Sequence, residues 1–170
     1  GMEKFCQKCA EVGIDGLTSA TSYTICTPQQ LNSIASVPAH LNKFYKIKSD
    51  LDLSVFTGNS YQIIGYTGIF SGTIDGQNFT IRNLTYSNTL SNCIALVCDA
   101  RAATIKDLTL ENFNLTGKNY IAALAGYFND GAISNVKSSG IISGSMVVAG
   151  LVGSSDVDIS DSSSSATIIA

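Results

Sequence analysis

The sequence contains no tryptophan and only one histidine, His40, in 170 residues. Because histidine is the side chain that most often exchanges protons or binds metal ions near neutral pH, such chemistry would depend here on carboxylates or cysteines. Charged residues are also scarce, at 14% of the chain compared with roughly 25% in ordinary globular domains. Serine, threonine, asparagine and glycine take their place, and this composition favours a β-rich protein with many short turns.

Basic residues are too few and too scattered for a nucleic-acid partner. The formal net charge is −3, and the ten lysines and arginines form no stripe with interleaved aromatic residues. The longest apolar run, residues 120–128, is about half of the roughly 20 residues that a membrane-spanning helix needs. We therefore expect neither nucleic-acid binding nor a membrane span. No export signal is visible, and we treat this as uninformative about the compartment.

Five cysteines are present, and three of them, Cys6, Cys9 and Cys26, lie near the N-terminus. The pattern Cys6-x-x-Cys9 matches a redox pair or half of a zinc site. A redox pair needs a preceding strand, however, and a zinc site needs a second pair at metal spacing, which Cys93 and Cys98 do not provide. We predict a structural disulfide joining Cys6 or Cys9 to Cys26, with zinc, redox chemistry and free buried thiols as alternatives. Such a disulfide indicates an oxidising compartment.

What the sequence does contain is a repeat. Short apolar tetrads begin 27 or 28 residues apart, at Gly68-Ile69-Phe70-Ser71, Ala95-Leu96-Val97-Cys98, Ala123-Leu124-Ala125-Gly126 and Gly150-Leu151-Val152-Gly153. Each is followed by a turn and a marker of the form Ile-x-Asn/Asp, at Ile81-Arg82-Asn83, Ile105-Lys106-Asp107, Ile133-Ser134-Asn135 and Ile159-Ser160-Asp161. A fixed period of this size indicates a repeat architecture, in which each unit buries its apolar face against its neighbours.

This repeat predicts an all-β fold, a right-handed parallel β-helix of about four to five coils stacked about 4.8 Å apart. Equivalent residues would then form internal columns, one of Leu96, Leu124 and Leu151, and another of Ile81, Ile105, Ile133 and Ile159. Asparagine and aspartate tolerate unusual backbone dihedrals, so we expect a further column at a bend of the coils. Its members are Asn83, Asp107, Asn135 and Asp161. A leucine-rich repeat has a similar period, but its pattern fits only once, at residues 105–110.

The two ends of the chain differ from the repeat. Residues 27–30 read Thr-Pro-Gln-Gln, a capping box that predicts a helix ending before Pro38. We therefore divide the chain into residues 1–43, a helical cap with the cysteine-containing segment, and residues 44–170, the β-helix, which together form one structural domain. No capping element follows residues 167–169. We expect further coils or a partner to cover that C-terminal end, since an uncovered β edge invites association.

The tetrad at residues 150–153, with weaker copies at 95–98 and 123–126, resembles the GLUG motif of bacterial surface and secreted proteins. Residues 70–84 and 45–53 resemble the segments that precede such arrays, so that the resemblance covers roughly residues 27–169. It implies a solenoid related to the pectin-lyase-like parallel β-helices, in proteins often associated with adhesion. Ala95, Cys98 and Ala123 depart from the glycine pattern of the motif.

Candidate chemical sites are few. Asp50-x-Asp52-x-Ser54 and Asp156-x-Asp158-x-Ser160 each match the first half of a calcium loop but lack its later glycine and glutamate. We interpret these aspartates as structural or solvated, with weak calcium binding as the alternative. The only arginines are Arg82 and Arg101, and Arg101 could approach Asp75 or Asp130 across neighbouring coils. We predict no catalytic, cofactor-binding or metal-binding residues, and His40 is expected on the surface.

We therefore predict a non-enzymatic repeat module of a secreted or cell-surface protein, which binds glycans or host or cell-surface proteins and contributes to adhesion. Stacked coils present broad faces suited to such partners. One alternative is a carbohydrate-active enzyme, a polysaccharide lyase or hydrolase, which would need converging acidic side chains. Another is a structural spacer within a longer surface protein.

Overall fold

The structure, a computed structural model, describes residues 22–170. The strands are β1 (Ser22–Ile25), β2 (Phe44–Ile47), β3 (Leu51–Asp52), β4 (Thr73–Asp75), β5 (Thr80–Arg82), β6 (Thr85–Ser87), β7 (Val97–Thr116), β8 (Ile121–Ala122), β9 (Ala125–Ser143), β10 (Val148–Ala149), β11 (Val152–Ser155), β12 (Asp158–Ser160), β13 (Ser163–Ser164) and β14 (Thr167–Ile169). One α-helix, α1 (Pro28–Ser33), and three 3-10 turns, Ile34–Ser36, Pro38–His40 and Leu53–Val55, complete the described elements.

Every strand pairing is parallel and joins one winding of the chain to the next. One stack runs through β1, β2, β4, β7, β9 and β12, and a second runs through β3, β5, β7, β9 and β13. A third stack joins β6, β7, β9 and β14, and the short strands β8 and β10 form a separate pair. The predicted parallel β-solenoid is thus confirmed, with about four turns and a minor helical part.

Three of the four tetrads stack as expected, those at residues 95–98, 123–126 and 150–153. The first, at residues 68–71, is out of register, because Val97 bridges to Ile64 in the coil before and Phe70 bridges to Ala100. The amide of Leu96 donates to the carbonyl of Ala123 at 3.1 Å, and the amide of Leu124 donates to the carbonyl of Leu151 at 3.0 Å. Leu96 and Leu124 are fully buried. Leu151 is only half-buried because it belongs to the last coil, which has no described coil above it.

The isoleucine column differs at one position from the sequence prediction. Ile105, Ile133 and Ile159 are in register, but the residue paired with Ile105 in the coil before is Ile74. Ile81 is fully buried in the next stack, where it pairs with Leu51 and Leu110. The marker at residues 81–83 therefore has the same sequence pattern as the later markers but lies one bend further along its coil, in the second stack. Ile159 lies in the register but is 43% exposed in the last coil.

Left-handed residues mark the bends between stacks. Asn78, Asp107, Asn135 and Asp161 all have φ between 50° and 64°, and the side-chain amide of Asn135 donates to the carboxylate of Asp107 at 2.8 Å. Asn83 belongs to a different ladder, in which the amide of Asn112 donates to Asn83 at 2.8 Å. Asparagine and aspartate adopt this backbone conformation at low cost, and stacking lets their side chains bond across coils.

The predicted capping box is present at the start of α1. The amide of Gln30 donates to the hydroxyl of Thr27 at 3.2 Å, and the amide of Thr27 donates to the side-chain oxygen of Gln30 at 3.1 Å. Leu31 and Ile34 pack into the core. The helix nevertheless does not precede the array, because β1 lies before it in the chain and already pairs with β2. A strand of the solenoid, β1, thus lies within the segment predicted to be the cap.

Shortening a leucine in the stacked column tests how stability depends on a neighbouring coil. We expect Leu124→Ala to lower the free energy of unfolding by about 2–5 kcal/mol, the usual cost of a cavity at a fully buried leucine. Leu151→Ala, in the half-buried last coil, should cost less than half as much. Denaturant titration of both variants measures the difference, and equal losses would contradict the proposed burial gradient.

A second change tests the close approach of adjacent coils. Gly140 has φ of 139°, and a Cβ there would overlap the carbonyl oxygen of Phe113 in the coil before. We expect Gly140→Ala to cost at least about 3 kcal/mol, from backbone strain together with overpacking.

Gly58→Ala is the matched control, because Gly58 also has positive φ but a Cβ added there would meet no atom within 4 Å. It should cost only about 1 kcal/mol, the conformational penalty of a left-handed residue. If the two variants unfolded at the same denaturant concentration, the stacking contact would not limit the choice of residue at Gly140.

Candidate functional site

The carboxylates of Asp50 and Asp52, in the first calcium-like motif, accept hydrogen bonds from other groups of the protein. Asp50 accepts from the amide of Thr80 at 2.9 Å and from the guanidinium of Arg82 at 2.9 Å. Asp52 accepts from the amide of Ser54 and from the side chain of Asn83, each at 3.0 Å. The hydrogen bonds from Asn83 and then Ser54 lower the pKa of Asp52. Both carboxylates thus tie one coil to the next.

The second calcium-like motif has a similar structural use. The carboxylate of Asp156 accepts from the backbone amide of Asp130 at 3.1 Å, while Asp158 lies exposed on β12. Within residues 22–170, no group of three or more histidine, cysteine, aspartate or glutamate side chains is placed to hold a metal ion.

Arg101 does not reach either of the partners expected from the sequence, Asp75 and Asp130. It forms a two-point contact with Asp99 instead, with nitrogen–oxygen distances of 3.0 and 3.2 Å. The two residues lie two positions apart on β7, so their side chains project on the same side of the strand. This local pair is solvated and does not bring residues of separate coils together.

Asp75 is the one charged side chain among residues 22–170 that is buried. Its carboxylate accepts from the amide of Gln77 at 3.1 Å and lies 3.4 Å from the ammonium group of Lys106 in the next coil. Burial by itself raises the pKa of this carboxyl, but the Gln77 hydrogen bond and the Lys106 charge outweigh it, so the pKa lies below its ordinary value. The ion pair stabilises the turn after β4.

His40 and the cysteines also have local roles. His40 ends a 3-10 turn, and its Nδ1 lies 3.1 Å from the carbonyl oxygen of Ser33, to which it donates. Cys26 is disulfide-bonded, whereas its predicted partners Cys6 and Cys9 lie outside the described residues, so the choice between them stays a prediction.

A disulfide that the sequence pattern did not predict joins Cys93 to Cys98, with their Cα atoms 5.8 Å apart. From the sequence we considered these two cysteines only as metal ligands, and their spacing does not match that of a metal site. Both are buried where the chain enters β7, and the turn between them brings the two sulfurs together. A disulfide between residues so close in sequence fixes this turn and closes a short loop.

One of the concave surfaces formed by residues 22–170 uses none of these residues and carries no charged side chain. A groove of about 330 Å³ lies beside the loop that follows the third 3-10 turn, and its lining includes Asn59, Tyr61, Gln62, Tyr66, Thr67 and Tyr86. We call it the tyrosine groove. None of the residues that line it is aspartate, glutamate, lysine, arginine or histidine.

The tyrosine groove exists because one strand of the solenoid is replaced by a loop. In the coil before β6, Asn59 takes the place of a pairing strand: its side-chain amide donates to the carbonyl of Ser87 at 2.8 Å, and its oxygen accepts from the amide of Ser87 at 3.0 Å. Tyr86 stacks with Leu115 on its other side but has no strand residue beneath it. Its ring is therefore left partly uncovered, and it forms one wall of the groove.

The other two tyrosines are held differently. Tyr61 is buried, with its hydroxyl donating to the carbonyl of Leu96 at 3.3 Å. Tyr66 is 54% exposed at the end of a turn in which its amide donates to the carbonyl of Ile63 at 3.2 Å. Burial raises the pKa of Tyr86 and of Tyr61, and proximity to Tyr66 raises that of Tyr86 further. Both phenols therefore stay neutral at physiological pH.

Gln62 is oriented by the helical segment. Its backbone amide donates to the side chain of Asn32 at 2.7 Å, and its side-chain oxygen accepts from the hydroxyl of Ser36 at 3.0 Å. The side-chain nitrogen, a donor, has no partner among residues 22–170. Sequence reasoning gave no signal for this arrangement, because Tyr86 lies one coil after Tyr61 and Tyr66, and only the missing strand leaves the three beside one groove.

The fold and the groove together define the class of this chain as a parallel β-solenoid domain with an uncharged, aromatic-lined recess. It belongs to the family described as the N-terminal region of the M26 IgA1-specific metallo-endopeptidases, whose model matches residues 45–140, more than half of the chain. The GLUG resemblance is not shown by this match and stays a prediction.

Similar sequences occur in three long proteins. The chain is 31% identical over 162 residues to halomucin of Haloquadratum walsbyi, 34% over 132 residues to the immunoglobulin A1 protease of Streptococcus sanguinis, and 29% over 131 residues to the zinc metalloprotease ZmpC of Streptococcus pneumoniae. These alignments cover 89%, 74% and 77% of this chain but only 2%, 7% and 7% of the respective proteins. No solved structure matches the chain. Residues 22–170 include no helix long and apolar enough to cross a bilayer.

The ion pair between the buried Asp75 and Lys106 gives a prediction for pH dependence. Since the folded-state pKa of Asp75 lies below its ordinary value of 3.8, its ionised form stabilises the fold above that pH, and the contribution is lost as the pH falls through the lower folded-state value. We expect Asp75→Asn to lower the free energy of unfolding by about 1–3 kcal/mol at pH 7. The gap to the unmodified protein should shrink in acid below the folded-state pKa.

The exposed Asp158 provides the control, because Asp158→Asn should alter stability little at either pH. Urea unfolding midpoints of the three proteins at neutral and acidic pH measure the effect. A destabilisation by Asp75→Asn that is the same at both pH values would show that the carboxylate charge is not responsible.

Proposed function

We propose that this chain is a non-enzymatic binding module of a secreted or cell-surface protein, with glycans or protein partners as its ligands and adhesion as its role. The observation that carries the proposal is the tyrosine groove, a recess of ligand size on a rigid solenoid. The carboxylates of Asp50, Asp52, Asp75 and Asp156 are engaged by donors within or between coils, as structural carboxylates are.

The Cys93–Cys98 disulfide supports the proposed location. Disulfides persist in oxidising environments such as the extracellular space and are rare in the cytosol. The names of the similar proteins, a halomucin and two kinds of protease, are compatible with this location. The chain matches only a small part of each of them, as expected for one module among several. The activity of those whole proteins is not assigned to this module.

Direct binding measurements test the proposal. The folded chain, displayed to an array of glycans and to immobilised host surface proteins, should bind at least one of them saturably, whereas the heat-unfolded chain should not. The same preparation, incubated with uronic-acid polymers, should release no shorter products. Polymer cleavage would favour the carbohydrate-active enzyme, and a complete lack of binding to glycans and proteins would favour the structural spacer.

A further inference from the structure

We propose that the tyrosine groove binds one or two neutral sugar residues, with a sugar ring stacked on Tyr66 and a sugar hydroxyl accepting from the side-chain nitrogen of Gln62. This inference rests on the proposed binding function and names its ligand class and its site.

Tyr66 provides the stacking surface. It is 54% exposed although it borders a core in which Tyr61 is buried, so its ring is presented to the groove and not packed into the solenoid. A tyrosine ring offers a large rigid apolar face, and the C–H face of a sugar ring is an apolar surface of matching size. The turn that holds Tyr66 packs closely against the next coil, because a Cβ on the preceding Gly65 would lie 2.6 Å from the carbonyl oxygen of Asp99.

Gln62 provides the directional contact. Its side-chain oxygen accepts from Ser36 and its backbone amide donates to Asn32, and these two contacts restrain the residue before any ligand arrives. Gln62 lines the groove, its side-chain nitrogen is a hydrogen-bond donor, and a hydroxyl oxygen is a suitable acceptor. Thr67, also in the lining, adds a hydroxyl that can donate or accept.

The absence of charge in the groove lining selects a neutral ligand. A carboxylate or phosphate bound among these residues would lose water without gaining a counter-ion, which is costly. The volume, about 330 Å³, is near the lower end of the range of roughly 300–1,000 Å³ that is usual for small-molecule sites. It suits one or two sugar rings, whereas a protein partner needs a contact surface much larger than this recess.

A second groove, on the other side of the same loop, is a weaker candidate. It is lined by Phe56, Asn83 and Asn112 among others, but the amide of Asn112 already donates to Asn83, and that of Asn83 donates to Asp52. The side-chain amides of Asn83 and Asn112 are therefore used in the structural ladder, unlike the side-chain nitrogen of Gln62.

Titration of the whole chain with neutral oligosaccharides, chosen as the strongest neutral hits of the array, tests the site. Tyr66→Ala should weaken binding about tenfold or more, and Tyr66→Phe, which keeps the ring, should stay within about threefold of the unmodified protein. Gln62→Ala should also weaken it. Affinity should change less than about twofold between low and high salt, because no charge pair forms.

Tyr23→Ala is the matched control, since Tyr23 is 43% exposed on a different part of the solenoid, where its ring lies 5.8 Å from that of Tyr45. It should leave sugar binding unchanged. Equal unfolding midpoints for the Tyr66 variants and the unmodified chain would confirm that any loss is local.

The outcomes separate this inference from the proposed function. If neutral sugars bind but Tyr66→Ala has no effect, or Tyr23→Ala has the same effect, the site is wrong and the binding function stands. If only acidic sugars or only proteins bind, the ligand class is wrong and a binding function again stands. If nothing binds, both proposals fail.

Discussion

The structure depends on one repeated interaction, the parallel hydrogen bonding of each coil to the next. It holds equivalent residues a fixed short distance apart, so a side chain in a regular inner coil has a neighbour directly above and below it. In the interior this produces the leucine and isoleucine columns. At the bends it produces ladders of asparagine and aspartate, in which Asn135 bonds to Asp107. Where the backbones approach most closely, as at Gly140, it excludes any side chain.

The same interaction explains why burial changes along the stack. A coil between two others is covered on both sides, whereas among residues 22–170 the coil of β11 to β14 is covered on one side, by β9. The second stack passes from Leu51, Ile81 and Leu110 to Ser138 and Ser164. Ser138 remains buried, and its hydroxyl donates to the carbonyl of Gly150 at 2.6 Å. A hydrogen-bonded serine can therefore occupy a column that is aliphatic in the earlier coils.

The candidate binding surface arises where the repeat is interrupted. A regular coil would cover Tyr86 with a strand and leave no recess. The chain instead passes through a loop, and Asn59 alone satisfies the backbone of Ser87. Local irregularity on a rigid scaffold is a common way to build a binding site, because the scaffold fixes the position of the loop side chains. Here the helical segment adds a second support, through the hydrogen bonds that orient Gln62.

The sequence by itself determined the architecture, the stacking of Leu96, Leu124 and Leu151, and the capping box at Thr27, because a repeat period and a helix cap are local patterns. It misplaced Ile81, since the same short marker occurs at two different bends. The Cys93–Cys98 disulfide and the tyrosine groove were decided only by the tertiary structure. Tyr61, Tyr66 and Tyr86 meet because a loop replaces one strand in the stack, and no local pattern records which strand of a repeat is missing.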